Sequence, residues 1–230
     1  MRKMPHSRSE RPLSLSFFLV GTGFLLLTAC ATQPVSHRDD HLARVELLAL
    51  LQSLNADLLS HDSATLTLER WCGDHRLADP ARVTAQRDGN VDKTIPAELR
   101  ARLAIGADEP LRYRHVRLTC GSHVLSEADN WYVPGRLSAD MNQRLETTDE
   151  PFGKVVRPLG FVRRTLAADL LWSPLPVGWE MAQPGVLPPL AIPREVLRHQ
   201  AVLYTSTQQP FSALVETYTS EVFSFRAIAH

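Results

Sequence analysis

Leu42, Val45, Leu48, Leu51, Leu54 and Leu58 fall at three- and four-residue steps, one apolar stripe that predicts an α-helix, with Asp39 or Asp40 able to cap it. The stripe reads as a core face. Over 64–71 the period changes to two, Leu66 and Leu68 alternating with Thr65, Thr67 and Glu69, which predicts a strand with one wet face. Another strand is expected over 82–86, ending at the Asp88-Gly89 turn signal. Leu99 and Leu103, four apart, predict a short helix over 96–105.

Alternation returns over 111–120. Arg112, Arg114, Val116, Leu118 and Cys120 share one face, and Tyr113, His115, Arg117 and Thr119 the other. Gly121-Ser122 turns the chain into a partner strand over 124–134 that carries Trp131 and Tyr132, so a hairpin is expected. Ser138 caps a short helix reaching Leu145, followed by a polar, proline-interrupted stretch from Thr147 to Gly153. Six of the sixteen prolines lie in 174–193, which predicts a long surface loop or flap. Strands over 195–205 and 212–223, joined by a polar turn at 206–209, complete the pattern. The expected class is α+β, an antiparallel β-sheet with flanking helices.

Two charged residues break the pattern. Arg114 shares a face with Val116 and Leu118, so it points toward the core or a cavity within it, where a charge persists only if paired or hydrogen-bonded. Pairing with a buried carboxylate is the purely structural alternative. Glu216 lies between Leu214 and Tyr218 on one face of the last strand, and a carboxyl in such a place is either paired or functional.

Ahead of this pattern lies an apolar run behind a basic start. Arg2, Lys3, Arg8 and Arg11 precede Phe17-Phe18-Leu19-Val20 and Phe24-Leu25-Leu26-Leu27, and the run closes on Leu27-Thr28-Ala29-Cys30. This is the form of a lipoprotein signal peptide whose cysteine becomes the lipidated first residue. The run is short for the roughly 20 residues of a spanning helix, which argues against a signal anchor with a chance cysteine. The expected organisation is a signal peptide over 1–29, a tether over 30–40 and one domain over 41–230. Lipidated Cys30 would hold the domain on a membrane facing the periplasm. Ala31 after the cysteine favours the outer membrane, and a location in the cytoplasm follows if the signal is not processed.

Lys plus Arg and Asp plus Glu both number 25, so no net field points to nucleic acid or to an anionic lipid surface. Apart from Cys30, the chain has Cys72 and Cys120, an even pair in an oxidising compartment. A disulfide between them is expected, the alternative being two buried free thiols. Cys72-Gly-Asp-His75 offers one ligand pair without a second, so no metal site is expected. The sequence contains no Gly-x-Ser-x-Gly, His-Glu-x-x-His, glycine-rich phosphate loop or dinucleotide fingerprint. His115 and His199 read as surface or satisfied core groups. Trp131, Trp172 and Trp179 could line a flap, although core packing is the commoner role.

The segments Tyr113-Arg114-His115-Val116-Arg117-Leu118, Trp131-Tyr132-Val133-Pro134, Glu150-Pro151-Phe152-Gly153 and Val215-Glu216-Thr217 together resemble the chorismate-pyruvate lyase family. The resemblance implies a small aromatic-acid pocket beneath two flaps and cofactor-free elimination of pyruvate from chorismate to leave 4-hydroxybenzoate. It places Arg114 and Glu216 as the catalytic pair, with Phe152 and Gly153 contributing backbone to the substrate. Ala64 falls where the family's first strand has a methionine, a change that enlarges the pocket. Chorismate is cytoplasmic, so an exported chain suits a second hypothesis: a non-catalytic lipoprotein binding a small aromatic or carboxylated molecule. A third is a structural protein in which Arg114 and Glu216 pair with each other.

Overall fold

The structure, a computed structural model, describes residues 41–226 except 107, 184 and 186. The expected signal peptide, Cys30, the tether and the capping aspartates lie outside the described residues. The chain begins with α1 (His41–Ser60), whose buried line is Ala43, Leu47, Leu51, Leu54 and Leu58. This corrects the expected stripe in its first half. Leu42 is 56% exposed, because the first turn instead buries Arg44, whose Nη1 donates to Pro174 O at 3.1 Å and whose Nη2 donates to Pro188 O.

The second correction concerns residues 64–71, which form a helix, α2 (Ala64–Asp74), and not a strand. Ser63 caps it, its hydroxyl accepting from Leu66 N, and Ala64, Leu68, Trp71 and Cys72 fall on the buried side. That spacing satisfies a 3.6-residue period as well as the local alternation satisfied a period of two. Then follow β1 (Val83–Arg87), α3 (Ala97–Leu103), β2 (Arg112–Cys120), β3 (His123–Tyr132), α4 (Ala139–Thr147) and α5 (Phe152–Val155). A strand that the pattern did not predict, β4 (Val162–Leu170), precedes the long loop. β5 (Glu195–Tyr204) and β6 (Pro210–Thr219) close the sheet, and residues after Thr219 form a short 3-10 turn, not the continued strand expected to 223.

The sheet is antiparallel throughout, in the order β1-β2-β3-β6-β5-β4. The architecture is the α+β class expected, an antiparallel sheet with flanking helices. Its register sets two neighbouring rows of side chains on one face. Arg114 of β2 lies opposite Asn130 of β3, which lies opposite Leu214 of β6. Val116, Ala128, Glu216 and His199 form the adjacent row. The opposite face carries Trp131, Val202 and Ala213 against Leu99 and Leu103 of α3.

α1 and α2 cover part of the first face through Leu51, Leu54, Leu58, Leu68 and Trp71. Cys72 of α2 and Cys120 of β2, both fully buried, form a disulfide that closes a separation of 48 residues. Restricting the unfolded chain by a loop of that length stabilises by about 4 kcal/mol in the chain-entropy account. α4 and α5 pack beside them through Met141, Leu145, Phe152 and Val155. Loop 171–194 has neither helix nor strand among its described residues and is held at two points by Arg44.

Candidate functional site

Between α2, α5 and the Arg114 face of the sheet lies a cavity of about 40 Å³. Its walls are mostly apolar: Val116, Leu118, Ala128, Phe152, Phe161, Leu203 and Leu214. Arg114, Asn130, Arg163 and Glu216 enter from the strands, and Asp62, Ser63 and Thr65 from the start of α2. Thus Arg114, Glu216, Ala64, Phe152 and Gly153, named from the sequence, all line one space. Ala64 does so from the first turn of a helix, which corrects the strand position inferred for it. Loop 171–194 contributes no lining residue to this cavity among those described.

α5 approaches α2 closely at a glycine. A Cβ on Gly153 would come within 2.9 Å of Ser63 Oγ and 3.3 Å of Thr65 Oγ1. The two helix starts therefore meet closely enough that any side chain at 153 would displace the Ser63 hydroxyl, and the cavity opens beside that contact.

Arg114 is 7% exposed. Its Nη2 donates to Glu150 O at 3.3 Å, while Nε and Nη1 are buried without a hydrogen-bond partner. The carboxylate partner considered for it is not present among the described residues: Glu150 turns its own carboxylate to Arg144 at 2.6 Å. Burial and then the neighbouring Arg87 guanidinium push the Arg114 pKa down to about 10, still far above neutrality. Arg114 is thus a desolvated cation with two unused donors, a state that costs about 1–3 kcal/mol for each such group and suits an incoming anion.

Glu216 has the opposite character. Arg163, from the unpredicted strand β4, donates through Nη2 to Glu216 Oε2 at 2.6 Å, and Tyr218 OH donates to the same oxygen at 3.2 Å. Both side chains of the Arg163–Glu216 pair are almost wholly buried. Burial works against the charge of Arg163, but Glu216, Tyr218 and Asp62 outweigh it and its pKa is raised. Burial and Glu216 together push the Tyr218 phenol well up, so it stays a donor. Glu216 and Arg114 are not partners: they sit on β6 and β2 with β3 between them, about 10 Å apart across the sheet.

The polar chain continues into the core. The His199 ring meets the Tyr218 ring edge-on at 5.4 Å, and its Nε2 bonds Asn55 Oδ1 of α1 at 2.8 Å. Its Nδ1 has no hydrogen-bond partner. Burial and then Arg163 hold its pKa down at about 4. On the other face His115 and Tyr113 bond Asp129, so His115 is a satisfied group. Trp131 packs on Tyr113 and donates to Lys93 O at 2.8 Å, a core role. No group of three or more His, Cys, Asp or Glu side chains able to hold a metal occurs among the described residues.

Arg163 is the site residue that sequence reasoning missed. Its signal was indirect, since a glutamate buried between apolar neighbours calls for a cation. Arg163 lies in a stretch whose apolar residues gave no alternation to mark a strand.

No family model matches the chain. Among solved structures, PhnF from Mycobacterium smegmatis superposes with a TM-score of 0.40 at 16% identity, covering 65% of this chain and 63% of that one. A GntR-family transcriptional regulator from Enterococcus faecalis V583 superposes with a TM-score of 0.38 at 11% identity, covering 60% and 95%. Likeness at this level speaks to neither activity nor ligand. The protein y4mC of Sinorhizobium fredii (strain NBRC 101917 / NGR234), described as uncharacterized, is 54% identical over 192 residues, which are 81% of this chain and 80% of that protein. Identity of this depth across most of both chains leaves no room for a chance match, and the chain belongs to the same family as y4mC.

Proposed function

We propose that the domain binds a small carboxylated molecule in the cavity beside α2 and α5, without transforming it. The observation that carries this reading is Arg114: a buried guanidinium, with Nε and Nη1 unpartnered, on the wall of an otherwise apolar cavity. A carboxylate forks across one edge of a guanidinium, so it would satisfy Nη1 or Nε together with the second hydrogen of Nη2, which a single carbonyl or water does less well. At the far side of the cavity the bonds accepted by Glu216 both end on Oε2, leaving Oε1 to accept from a ligand hydroxyl or amine. A hydroxy- or amino-substituted acid with a flat apolar body matches that spacing.

The resemblance to chorismate-pyruvate lyases suggests 4-hydroxybenzoate as the first ligand to try. A void of about 40 Å³ holds a few waters, so a ring is admitted only when lining side chains move outward. Elimination from chorismate is the alternative, favoured by the meeting of Arg114 and Glu216 in one cavity. Against it, Glu216 already neutralises Arg163. The sequence before residue 41 supports export and anchoring through lipidated Cys30, away from the cytoplasmic supply of chorismate.

Calorimetric titration with 4-hydroxybenzoate and related acids tests the reading, with absorbance of product from chorismate followed in parallel. Binding without turnover is expected. Arg114→Met is expected to weaken it at least tenfold, the equivalent of the roughly 1.5–3 kcal/mol of a hydrogen bond to a charged group. Turnover lost in Glu216→Ala would replace the binder with the lyase, and no binding of any acid would remove both.

A further inference from the structure

The described residues that leave most apolar surface in water sit together at one end of the molecule. In loop 171–194, Val177 is fully exposed and Met181 is 89% exposed, the highest values among the large hydrophobics. Between them Trp179 is half-buried, its ring 5.9 Å from that of His41, the first residue of α1. Leu42, the next residue, is the other apolar side chain more than half exposed. The loop tip and the start of the body therefore share one corner. Core packing gives no reason for Val177 or Met181, and neither lines the cavity.

That corner is where the chain arrives from Cys30. Residues 31–40 reach at most about 40 Å when fully extended, so lipidation of Cys30, part of the reading above, keeps the corner within that distance of a bilayer. Val, Met and Leu beside a tryptophan form the composition that settles at the headgroup boundary, where an indole has one apolar and one wet side. Three or four side chains would bind vesicles too weakly alone. Tethered by a lipid, their insertion becomes an intramolecular step at high effective concentration, and a small apolar gain suffices. The same few side chains fall short of the roughly 800 Å² per partner of a stable protein interface, which argues against a second copy as the occupant.

We propose that Val177, Trp179, Met181 and Leu42 form a bilayer-contacting corner that orients the lipid-anchored domain on the membrane. The long loop is then a docking device, separate from ligand binding. Gln208 lies in the turn after β5, at the opposite end of that strand from the loop.

The test uses the full chain made with its signal and reconstituted into vesicles of phosphatidylethanolamine and phosphatidylglycerol. An environment-sensitive dye is placed at Met181→Cys or at Gln208→Cys, and palmitate incorporation with its loss in Cys30→Ser reads the anchor separately. A blue shift with several-fold brighter emission at 181, none at 208, and loss of the shift in Val177→Asp is expected. A palmitate-bearing protein whose dye at 181 stays water-like overturns the corner while leaving the anchor intact. Lack of palmitate on the wild-type chain removes the premise itself. A shift that grows with protein concentration without vesicles assigns the corner to a second copy and also overturns the proposal.

Discussion

Removing the guanidinium of Arg114 and removing that of Arg163 have opposite expected effects on stability, although both line the same cavity. Arg163→Met strands a buried carboxylate, and breaking a buried pair from one side costs about 3–5 kcal/mol. Arg114→Met deletes two donors that have no partner and one long bond to Glu150 O, so urea unfolding at pH 7 is expected to show unchanged stability or a gain of about 1 kcal/mol. A residue kept at a cost to the fold points to a ligand. His199 adds a dependence on pH. Its folded pKa of about 4 lies below the unfolded value near 6.5, so between these limits the unfolded chain binds more protons. Stability contributed by neutral His199 is therefore full above about pH 6.5 and falls as pH drops toward 4. The loss is on the order of 3 kcal/mol at most, and denaturation midpoints measured from pH 7 to 4 should flatten in His199→Gln.

The elements that sequence reasoning read correctly carry a clear local signal, an apolar period or a cap. β2 alternates over its first half because one side packs inward, β3 and β6 are buried largely on both faces yet keep β-favouring residues between turn signals, and α4 announces itself with Ser138, whose hydroxyl accepts from Met141 N at 3.2 Å. β4 was illegible because it is an edge strand, largely half-buried or exposed on both sides, so burial imposed no period upon it. With it went Arg163, and hence the true partner of Glu216. α2 was misread because threonine and leucine alternate locally while the residues that decide its face, Leu68, Trp71 and Cys72, follow helical spacing. Arg114, Phe152, Gly153 and Glu216 were legible because each broke its local pattern or matched a short motif; their convergence on one cavity needed the register. Arg44 makes a prediction at this scale. Arg44→Ala frees loop 171–194 from two carbonyl contacts, and limited proteolysis is expected to cut there at least tenfold faster. The melting temperature should move by only a few degrees.

At the scale of the molecule, strand order separates the sheet into an N-terminal half, β1-β2-β3, and a C-terminal half, β4-β5, with β6 between them. β3 holds Arg114's neighbour Asn130, β6 holds Glu216, and their pairing from Ser126 to Tyr132 is the seam of the cavity. The last strand made is thus the central one. Until residues 210–219 emerge from the ribosome, β3 and β5 are both open edges, each a template for pairing with another chain. A chain stopped at residue 209 is expected to yield two unjoined sheets and to melt without a cooperative transition in calorimetry, however complete its helices. Synthesis order then has a consequence for assembly: the two halves of the sheet have nothing to join them until residues 210–219 are free to pair with both.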